Sequence, residues 1–412
     1  MSSYHKNMIK LFSGNIVAQL IVFAGVPFLV LFYSPEQMGK IGLGISVISI
    51  VSVLIVLRLD AYLLAVRLPV LTEATNMSVK VSCFQFVLLS IVLYLSSSYI
   101  EKILEIDFTA FEYIVMLLGA LLASFSFLYN SFFSRQKDFG VIVSAGIWKA
   151  LILVSLQIGL GAMGILKGLW FAEIGSRIAQ CFKLFGSRRQ HENEMHDELQ
   201  KGEFLAGIKP FIIFTTFASL VSTLASYLPV MLMPSVLTLS LAGIYFFATQ
   251  IVFVPASMFA QSISKVFASE FISLPHAESK TLFYKTFLSL MALSGIGTLI
   301  AVLLLPLISV FIPERWGQLN DILDLVIIAA WPVICISSLS QVFNLVGKQK
   351  QLVLSELLKL VIMLSCFIYL RTNAEILEFE LRYVVKVLVA ASYTGYLVQF
   401  LLMIYLVSRK QA

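Results

Sequence analysis

The sequence predicts an all-α integral membrane protein of about twelve transmembrane helices. Hydrophobic residues make up 59% of the chain. Charged residues make up only 13%, about half the share that is usual in a soluble protein. The 412 residues divide into about twelve segments of roughly 34 residues, each long enough for one spanning helix and a short connection. Helices are predicted because an open strand would leave unpaired amide groups in the hydrocarbon.

Twelve apolar runs, bounded by charged residues, glycine or proline, mark the predicted spans. They lie near residues 11–32, 40–64, 81–99, 111–133, 141–160, 164–184, 208–232, 240–262, 284–311, 322–345, 352–371 and 384–407. The first run is too long for the core of a signal peptide, so it is predicted to remain as a helix. The second run is the least regular because Arg58 and Asp60 lie within it.

The distribution of positive charge predicts the orientation of the chain in the membrane. Most of the 29 Lys and Arg residues fall in the connections that share a side with the N-terminus. Positively charged connections face the cytoplasm. We therefore expect both termini to be cytoplasmic, which agrees with an even number of spans.

The chain is predicted to form two six-helix lobes, residues 1–185 and 208–412, joined by a polar cytoplasmic linker at residues 186–207. The connections after the fourth and tenth spans read NSFFSRQKDF and NLVGKQKQL, which favours an internal repeat. The alternative is that basic cytoplasmic turns resemble each other in any case. Pro255 and Pro332 lie inside spans of the second lobe and are predicted hinges, because each removes a backbone hydrogen bond.

Ionisable residues at membrane depth are the strongest functional signal, because burying one near the bilayer centre costs about 2.5–3.5 kcal/mol. They are Arg58, Asp60, Lys149, Glu173, Arg177, Glu356 and Lys359. Lys149 has no charge partner one turn away on its own helix, which favours a role in a cavity. Glu173 and Arg177 lie one turn apart, so a structural ion pair and a functional site are equally open. For Glu356 and Lys359 a structural pair is expected.

Polar side chains recur at helical spacing on several predicted spans, and we predict that they line a cavity. The candidates are Asn15, Gln19, Ser219, Gln250 and Gln261. The alternative is close packing of helices through small hydroxyl side chains. The excess of cations over carboxylates predicts a cationic cavity that binds an anionic ligand, above all a phosphate.

Several classes of function find no support in the sequence. No Ser/His/Asp grouping and no glycine-rich phosphate loop is present, so we expect a protein that is not an enzyme. The four cysteines and four histidines show no disulfide or metal-binding spacing, so no metal and no other cofactor is expected. A nucleic-acid partner is not expected either.

Five stretches of the chain carry a resemblance to a known family. They read YSPEQMGKIGLGISVISI from Tyr33, AYLLAVRLP from Ala61, NSFFSRQKDFGVIVSAGIWKAL from Asn130, GIYFFATQIVFVPASMFAQSISKVFASEF from Gly243 and PERWGQLNDILDLVIIAAWP from Pro313. These stretches resemble bacterial polysaccharide flippases, the lipopolysaccharide and O-antigen transporters of the MOP (multidrug/oligosaccharidyl-lipid/polysaccharide) exporter superfamily.

The resemblance implies two MATE-like helix bundles that face each other in a V and open alternately to the cytoplasm and the periplasm. It implies a cargo, an oligosaccharide repeat unit on undecaprenyl pyrophosphate, moved to the outer leaflet of the bacterial plasma (inner) membrane for O-antigen, capsule or exopolysaccharide synthesis. Arg58, Lys149 and Arg177 would then form the cationic surface. Asp60 and Glu173 would be charge partners, or carboxylates that couple transport to H⁺ or Na⁺. Membrane lipids, glycosyltransferases, a polymerase and a chain-length regulator are the implied partners.

Three alternatives belong to other functional classes or to another branch of the superfamily. A MATE-type drug or cation antiporter would need carboxylates in its cavity to bind cations, whereas cations predominate in these spans. A membrane polysaccharide polymerase or ligase would need a sizeable external loop, and the longest connection here is predicted to be cytoplasmic. A structural scaffold would leave the buried charges unexplained.

Overall fold

The structure, a computed structural model, describes residues 3–104, 106–191, 201–210, 212, 215–273, 276–309, 312–346, 348–377 and 380–409. Over these residues the chain is helical, with no strand. In chain order the helices are α1 (Ser3–Phe32), α2 (Pro35–Val56), α3 (Leu59–Ala65), α4 (Leu71–Leu104), α5 (Ala110–Arg135), α6 (Phe139–Ala162), α7 (Gly168–His191), α8 (Lys201–Pro210), α9 (Thr216–Leu232), α10 (Leu239–Ser273), α11 (His276–Ser309), α12 (Gln318–Pro332), α13 (Val342–Leu345), α14 (Gln349–Leu377) and α15 (Leu381–Arg409).

Eleven helices among the described residues are long and apolar enough to cross a membrane. The all-α membrane fold predicted from composition is therefore confirmed. Helix α7, which the sequence predicts as the sixth span, is not among the eleven, since Glu173, Arg177 and Lys183 interrupt its apolar character. It nevertheless packs against α6, where Gly175 leaves room for Leu156.

The predicted span at 40–64 is not one continuous helix. Helix α2 ends at Val56 and α3 begins at Leu59. Between them Leu57 and Arg58 adopt left-handed backbone conformations, with φ of 48° and 58°. A left-handed residue cannot continue a right-handed α-helix, and a side chain there is strained because its Cβ crowds the following carbonyl oxygen. The break places Arg58 and Asp60 beyond the end of a span rather than within it, which avoids burying both charges in hydrocarbon.

The predicted span at 322–345 is also interrupted. Helix α12 ends at Pro332, and a wider π-helical turn follows at Val333–Ser337. Proline has no amide hydrogen to donate to the carbonyl four residues before it. The hydroxyl of Tyr393 on α15 donates to that carbonyl, the Ile328 oxygen, at 2.8 Å. A side chain of a neighbouring helix thus supplies the hydrogen bond that Pro332 cannot donate.

The chain folds into two compact units. One consists of Met1–Tyr33 with Lys40–Thr223, and the other of Ser34–Gly39 with Leu224–Ala412. The first unit extends beyond the predicted lobe 1–185 because α8 packs on α3, where the rings of Phe204 and Tyr62 meet edge to face at 5.6 Å. Of the predicted linker at 186–207, residues 192–200 lie outside the described residues.

The short segment Ser34–Gly39 belongs to the second unit because two glycines allow a close approach of backbones. A Cβ on Gly243 of α10 would collide with the carbonyl oxygen of Pro35, and one on Gly39 would collide with the carbonyl oxygen of Leu239. Only glycine fits where two backbones approach this closely.

Helices α5 and α6 end in the same type of cap, which offers a test of backbone strain. Lys137 follows α5 and Gly164 follows α6, both left-handed with φ of 63° and 69°. In each cap the next amide bonds back to a carbonyl five residues earlier, Asp138 to Phe133 at 2.9 Å and Ile165 to Leu160 at 3.0 Å. Glycine is the residue that this position favours.

We expect Lys137→Gly to raise the free energy of unfolding by about 1 kcal/mol, because glycine adopts the left-handed conformation without strain. The Lys137 side chain is exposed, so little packing is lost. Gly164→Ala is the matched control. A Cβ there would meet no neighbouring atom within 4 Å, so backbone strain alone should lower stability by a similar amount. Thermal unfolding of the purified protein measures both changes. Equal melting temperatures for wild type and both variants would contradict the expectation.

Candidate functional site

Lys149 lies near the middle of α6, about 15 Å along the axis from the start of that helix. Its side chain is half-buried. Across the part of the chain that the structure describes, its ammonium makes no hydrogen bond and no ion pair. It interacts electrostatically with Glu173 and Arg177 of α7. Because an ammonium group at membrane depth is costly without a direct partner, this lysine is the candidate ligand-binding cation of the first unit.

Glu173 and Arg177 form a buried ion pair beside Lys149. The Nε of Arg177 donates to Glu173 Oε1 at 2.7 Å, and its Nη2 lies 2.6 Å from the same oxygen. This contact uses the Nε edge of the guanidinium and holds the group in one orientation. Two cations and one carboxylate leave one positive charge in excess. The group of three is therefore suited to an anion.

Helices α1 and α6 run parallel in one register, which sets the depth of the predicted polar residues on α1. Two contacts share an offset of 129 residues, Gly14 with Val143 and Gly25 with Val154. The same offset places Gln19 at the level of Trp148, next to Lys149, and Asn15 about one turn nearer the start of both helices. Both polar side chains are half-buried. Gln19 and Lys149 therefore share a depth in the first unit.

Arg58 and Asp60 lie at the break between α2 and α3, where they pair with each other. The Nε of Arg58 is 3.7 Å from Asp60 Oδ1, a separation too long for a hydrogen bond. Neither of these two buried atoms has a hydrogen-bond partner within the described residues. The sequence predicted one cationic surface from Arg58, Lys149 and Arg177. The structure brings Lys149 and Arg177 together and gives Arg58 a separate, loosely held partner.

The remaining predicted residues lie on α9, α10 and α12. Ser219 of α9 and Gln250 of α10 are half-buried, and neither forms a hydrogen bond within the described part of the chain. The side chain of Gln261 lies outside the described residues. Pro255 lies inside the continuous helix α10, whereas Pro332 marks the end of α12.

Arg188 is a buried cation that the sequence analysis assigned to a cytoplasmic connection. It lies near the end of α7, where Nη1 donates to the Tyr129 hydroxyl at 2.7 Å and Nη2 donates to Asn76 Oδ1. Its guanidinium also lies 5.4 Å from the Tyr129 ring centroid and 5.9 Å from that of Phe132. The spacing of buried residues along α7 is the signal that could have identified Arg188 from the sequence. The buried face of α7 repeats at Glu173, Arg177, Cys181, Leu184 and Arg188, in steps of three and four residues.

Glu356 and Lys359 form a second buried charge cluster, between α14 and α15. Lys359 Nζ donates to Glu356 Oε1 at 2.8 Å and to Gln399 Oε1 at 3.3 Å. The amide of Gln399 donates in turn to Glu356 Oε1 at 3.2 Å. The sequence predicted the ion pair, but it offered no signal for Gln399, which is 43 residues away from Glu356.

Two other lysines, Lys40 and Lys359, are each neutralised by direct contact with a carboxylate, and they provide a comparison for Lys149. Lys40 Nζ lies 3.1 Å from Glu112 Oε2, whose side chain is almost fully buried. Lys359 is neutralised by Glu356. Within the described residues Lys149 makes no such direct contact, although it interacts electrostatically with Glu173, whose Oε1 is bound by Arg177.

Comparison with known sequences identifies one family. The sequence profile described as "Polysaccharide biosynthesis protein" matches residues 28–321. No curated protein matches the chain at a significant level.

Comparison with solved structures identifies the fold. The chain is similar to the inward-facing form of a multidrug resistance MATE family transporter of the MOP superfamily, with a TM-score of 0.73 and 13% sequence identity over 98% of this chain and 99% of that one. It is also similar to the outward-facing form of such a transporter, with a TM-score of 0.65 and 14% identity over 98% and 96% of the two chains. A MOP superfamily transporter from Pyrococcus furiosus, described as having a binding pocket of reverse polarity, matches with a TM-score of 0.65 and 15% identity over 99% and 96%.

Proposed function

The chain belongs to the polysaccharide biosynthesis protein family and has the fold of MOP superfamily transporters, and from this premise we propose that it is a lipid-linked oligosaccharide flippase. It carries an oligosaccharide repeat unit, joined through pyrophosphate to undecaprenol, from the cytoplasmic to the outer leaflet of the plasma membrane by alternating access. The proposal depends most on one observation: Lys149 is a half-buried cation on α6 that makes no hydrogen bond and no ion pair within the described residues.

The charge balance around Lys149 favours a phosphate-containing cargo. The Glu173 carboxylate is engaged by Arg177 at 2.6 Å, so the ammonium of Lys149 supplies the excess positive charge. A phosphate offers acceptor oxygens and at least one negative charge, and charge-assisted hydrogen bonds to it are about twice as strong as neutral ones. Inorganic cations and cationic drugs would meet repulsion from the same group.

Arg177 is oriented for the same ligand. Glu173 binds the edge formed by Nε and Nη2, which leaves the edge formed by Nη1 and Nη2 for another acceptor. A guanidinium can bind a phosphate with two parallel hydrogen bonds along that edge. Lys149 then serves as a point charge beside the bidentate contact. Gln19, at the depth of Lys149, is suited to bind a sugar hydroxyl.

Coupling and bending are assigned to other residues. Asp60 is the better candidate for a coupling carboxylate, with H⁺ or Na⁺ as the ion, because its Oδ1 makes no hydrogen bond among the described residues. Glu173 acts as the charge partner of Arg177. Pro255 and Pro332 are proposed bending points, and Pro332 already ends its helix. Arg58, Asn15 and Ser219 complete the proposed polar lining of the first unit, and Gln250 and Gln261 remain candidates on α10 of the second unit.

The cellular setting follows from the proposed cargo. A repeat unit on undecaprenyl pyrophosphate is built by glycosyltransferases at the cytoplasmic face, and the flipped unit is used by a polymerase and a chain-length regulator. We infer a location in the bacterial inner membrane, with both termini in the cytoplasm.

A MATE-type drug or cation antiporter is the second candidate, since multidrug resistance transporters share the fold. A binding site for organic cations is usually built from carboxylates and aromatic faces. In the first unit the carboxylate nearest Lys149 is paired with an arginine. This pairing favours the flippase.

A reconstituted system distinguishes the two candidates. The full-length protein is placed in liposomes with a radiolabelled oligosaccharide on undecaprenyl pyrophosphate, and oxidation by external periodate reports the fraction of sugar exposed outside. We expect faster exposure than in protein-free liposomes, and a smaller effect when the same sugar is carried by an uncharged polyprenol. Equal rates with and without protein, together with uptake of a cationic dye, would establish the antiporter instead.

A further inference from the structure

The cluster around Lys359 has the composition of a cation-binding site. Its ammonium contacts a carboxylate oxygen of Glu356 at 2.8 Å and an amide oxygen of Gln399 at 3.3 Å. It also lies over the ring of Tyr396, 4.8 Å from the centroid. A carboxylate, a carbonyl oxygen and an aromatic face are the groups that bind a primary ammonium ion. Two helices, α14 and α15, supply them.

The acceptor groups are buried and also contact each other directly. Glu356 is 7% exposed and Gln399 only 2%. The Gln399 amide nitrogen donates to Glu356 Oε1 at 3.2 Å, and this hydrogen bond turns the Gln399 carbonyl oxygen toward the ammonium. The orientation of the amide is thus determined by complementary partners at both of its ends.

A glycine gives the lysine its route into the site. A Cβ on Gly395 of α15 would lie 2.6 Å from Lys359 Cγ, too close for any side chain. The stem of Lys359 therefore crosses α15 at the one residue type that leaves space for it. A surface lysine that extends toward water would not need the space that Gly395 leaves for the Lys359 stem.

We propose that Glu356, Gln399 and Tyr396 form a binding site for a small monovalent ammonium-type cation, and that the side chain of Lys359 is its permanent occupant. The second unit then carries a tethered cation where an exchangeable one would otherwise bind. Without the lysine, the buried carboxylate would need another cation, because an uncompensated buried charge is strongly destabilising. The inference concerns the second unit alone and does not depend on the transported substrate.

Removal of the tethered cation tests the site. The full-length Lys359→Ala variant should melt at a lower temperature than wild type, and methylammonium should restore much of the loss in a saturable manner. Such a gain follows from binding to the folded state only. Tetramethylammonium at the same ionic strength should not restore it, since it has no N–H donor and is larger. Wild type should respond to neither ion.

Two further measurements decide the interpretation. The double variant Glu356→Gln with Lys359→Ala lacks the carboxylate and should show no methylammonium response. An equal response in the double variant, or no response in Lys359→Ala, would overturn the proposal. Wild type provides a test that does not require any variant to fold. If methylammonium or Na⁺ stabilises it relative to tetramethylammonium, and Glu356→Gln abolishes that gain, the occupant is exchangeable and the proposal is wrong.

Discussion

Replacing Lys149 with alanine is expected to lower the initial rate of transport of the proposed lipid-linked oligosaccharide by about 10- to 100-fold, which corresponds to the loss of one charged hydrogen bond. Lys149 is half-buried at mid-depth, and no hydrogen bond or ion pair within the described residues depends on it. The variant should therefore insert and fold normally. In cells that lack the native gene, surface polysaccharide should be almost absent, as measured on gels at matched protein level.

Two controls separate binding from a general loss of charge. Lys149→Arg keeps the cation and should retain part of the transport. Lys80→Ala removes an exposed lysine of α4 that has no hydrogen bond or ion pair in the described structure, and it should transport as wild type does. Normal glycan display by Lys149→Ala would exclude a role in binding pyrophosphate.

The sequence was sufficient to predict the all-α membrane fold, because that fold depends on local composition. It placed Arg58 and Asp60 within a span, whereas α2 ends at Val56, before both residues. Lys149 was identified from its position in an apolar run. Its proximity to Glu173 and Arg177 was not, because that depends on how α6 packs against α7 through Gly175 and Leu156. Periodicity describes one helix at a time, and it does not specify which face meets a neighbour.

The interrupted spans show a second limit of the sequence. The break after α2 occurs at Leu57 and Arg58, and neither is a glycine or a proline, the residues that signal a break. The sequence predicted a hinge at Pro332 within a span over residues 322–345, and α12 ends at this proline. The compensating contact from Tyr393 could not be predicted, because it comes from a residue 65 positions away from Ile328.

The second large effect is expected for Glu173→Gln, which should lower the free energy of unfolding by about 3–5 kcal/mol, the usual cost of removing one partner from a buried ion pair. The side chains of Glu173 and Arg177 are only 10% and 12% exposed. The substitution leaves two cations, Arg177 and Lys149, without a carboxylate between them. Thermal unfolding of the purified variant measures the loss, and Asp107→Asn, an exposed loop substitution, controls for the change from carboxylate to amide.

When both charges of the pair are removed, we expect stability to recover but transport to remain low. The double variant Glu173→Gln with Arg177→Met buries no uncompensated guanidinium, so most of the lost stability should return. Its transport should nevertheless remain low, because the proposed bidentate contact of Arg177 to phosphate would be lost while Lys149 is still present. If the double variant were as stable as wild type and transported equally well, the pair would be a structural device alone. Phosphate binding would then depend on Lys149 without Arg177.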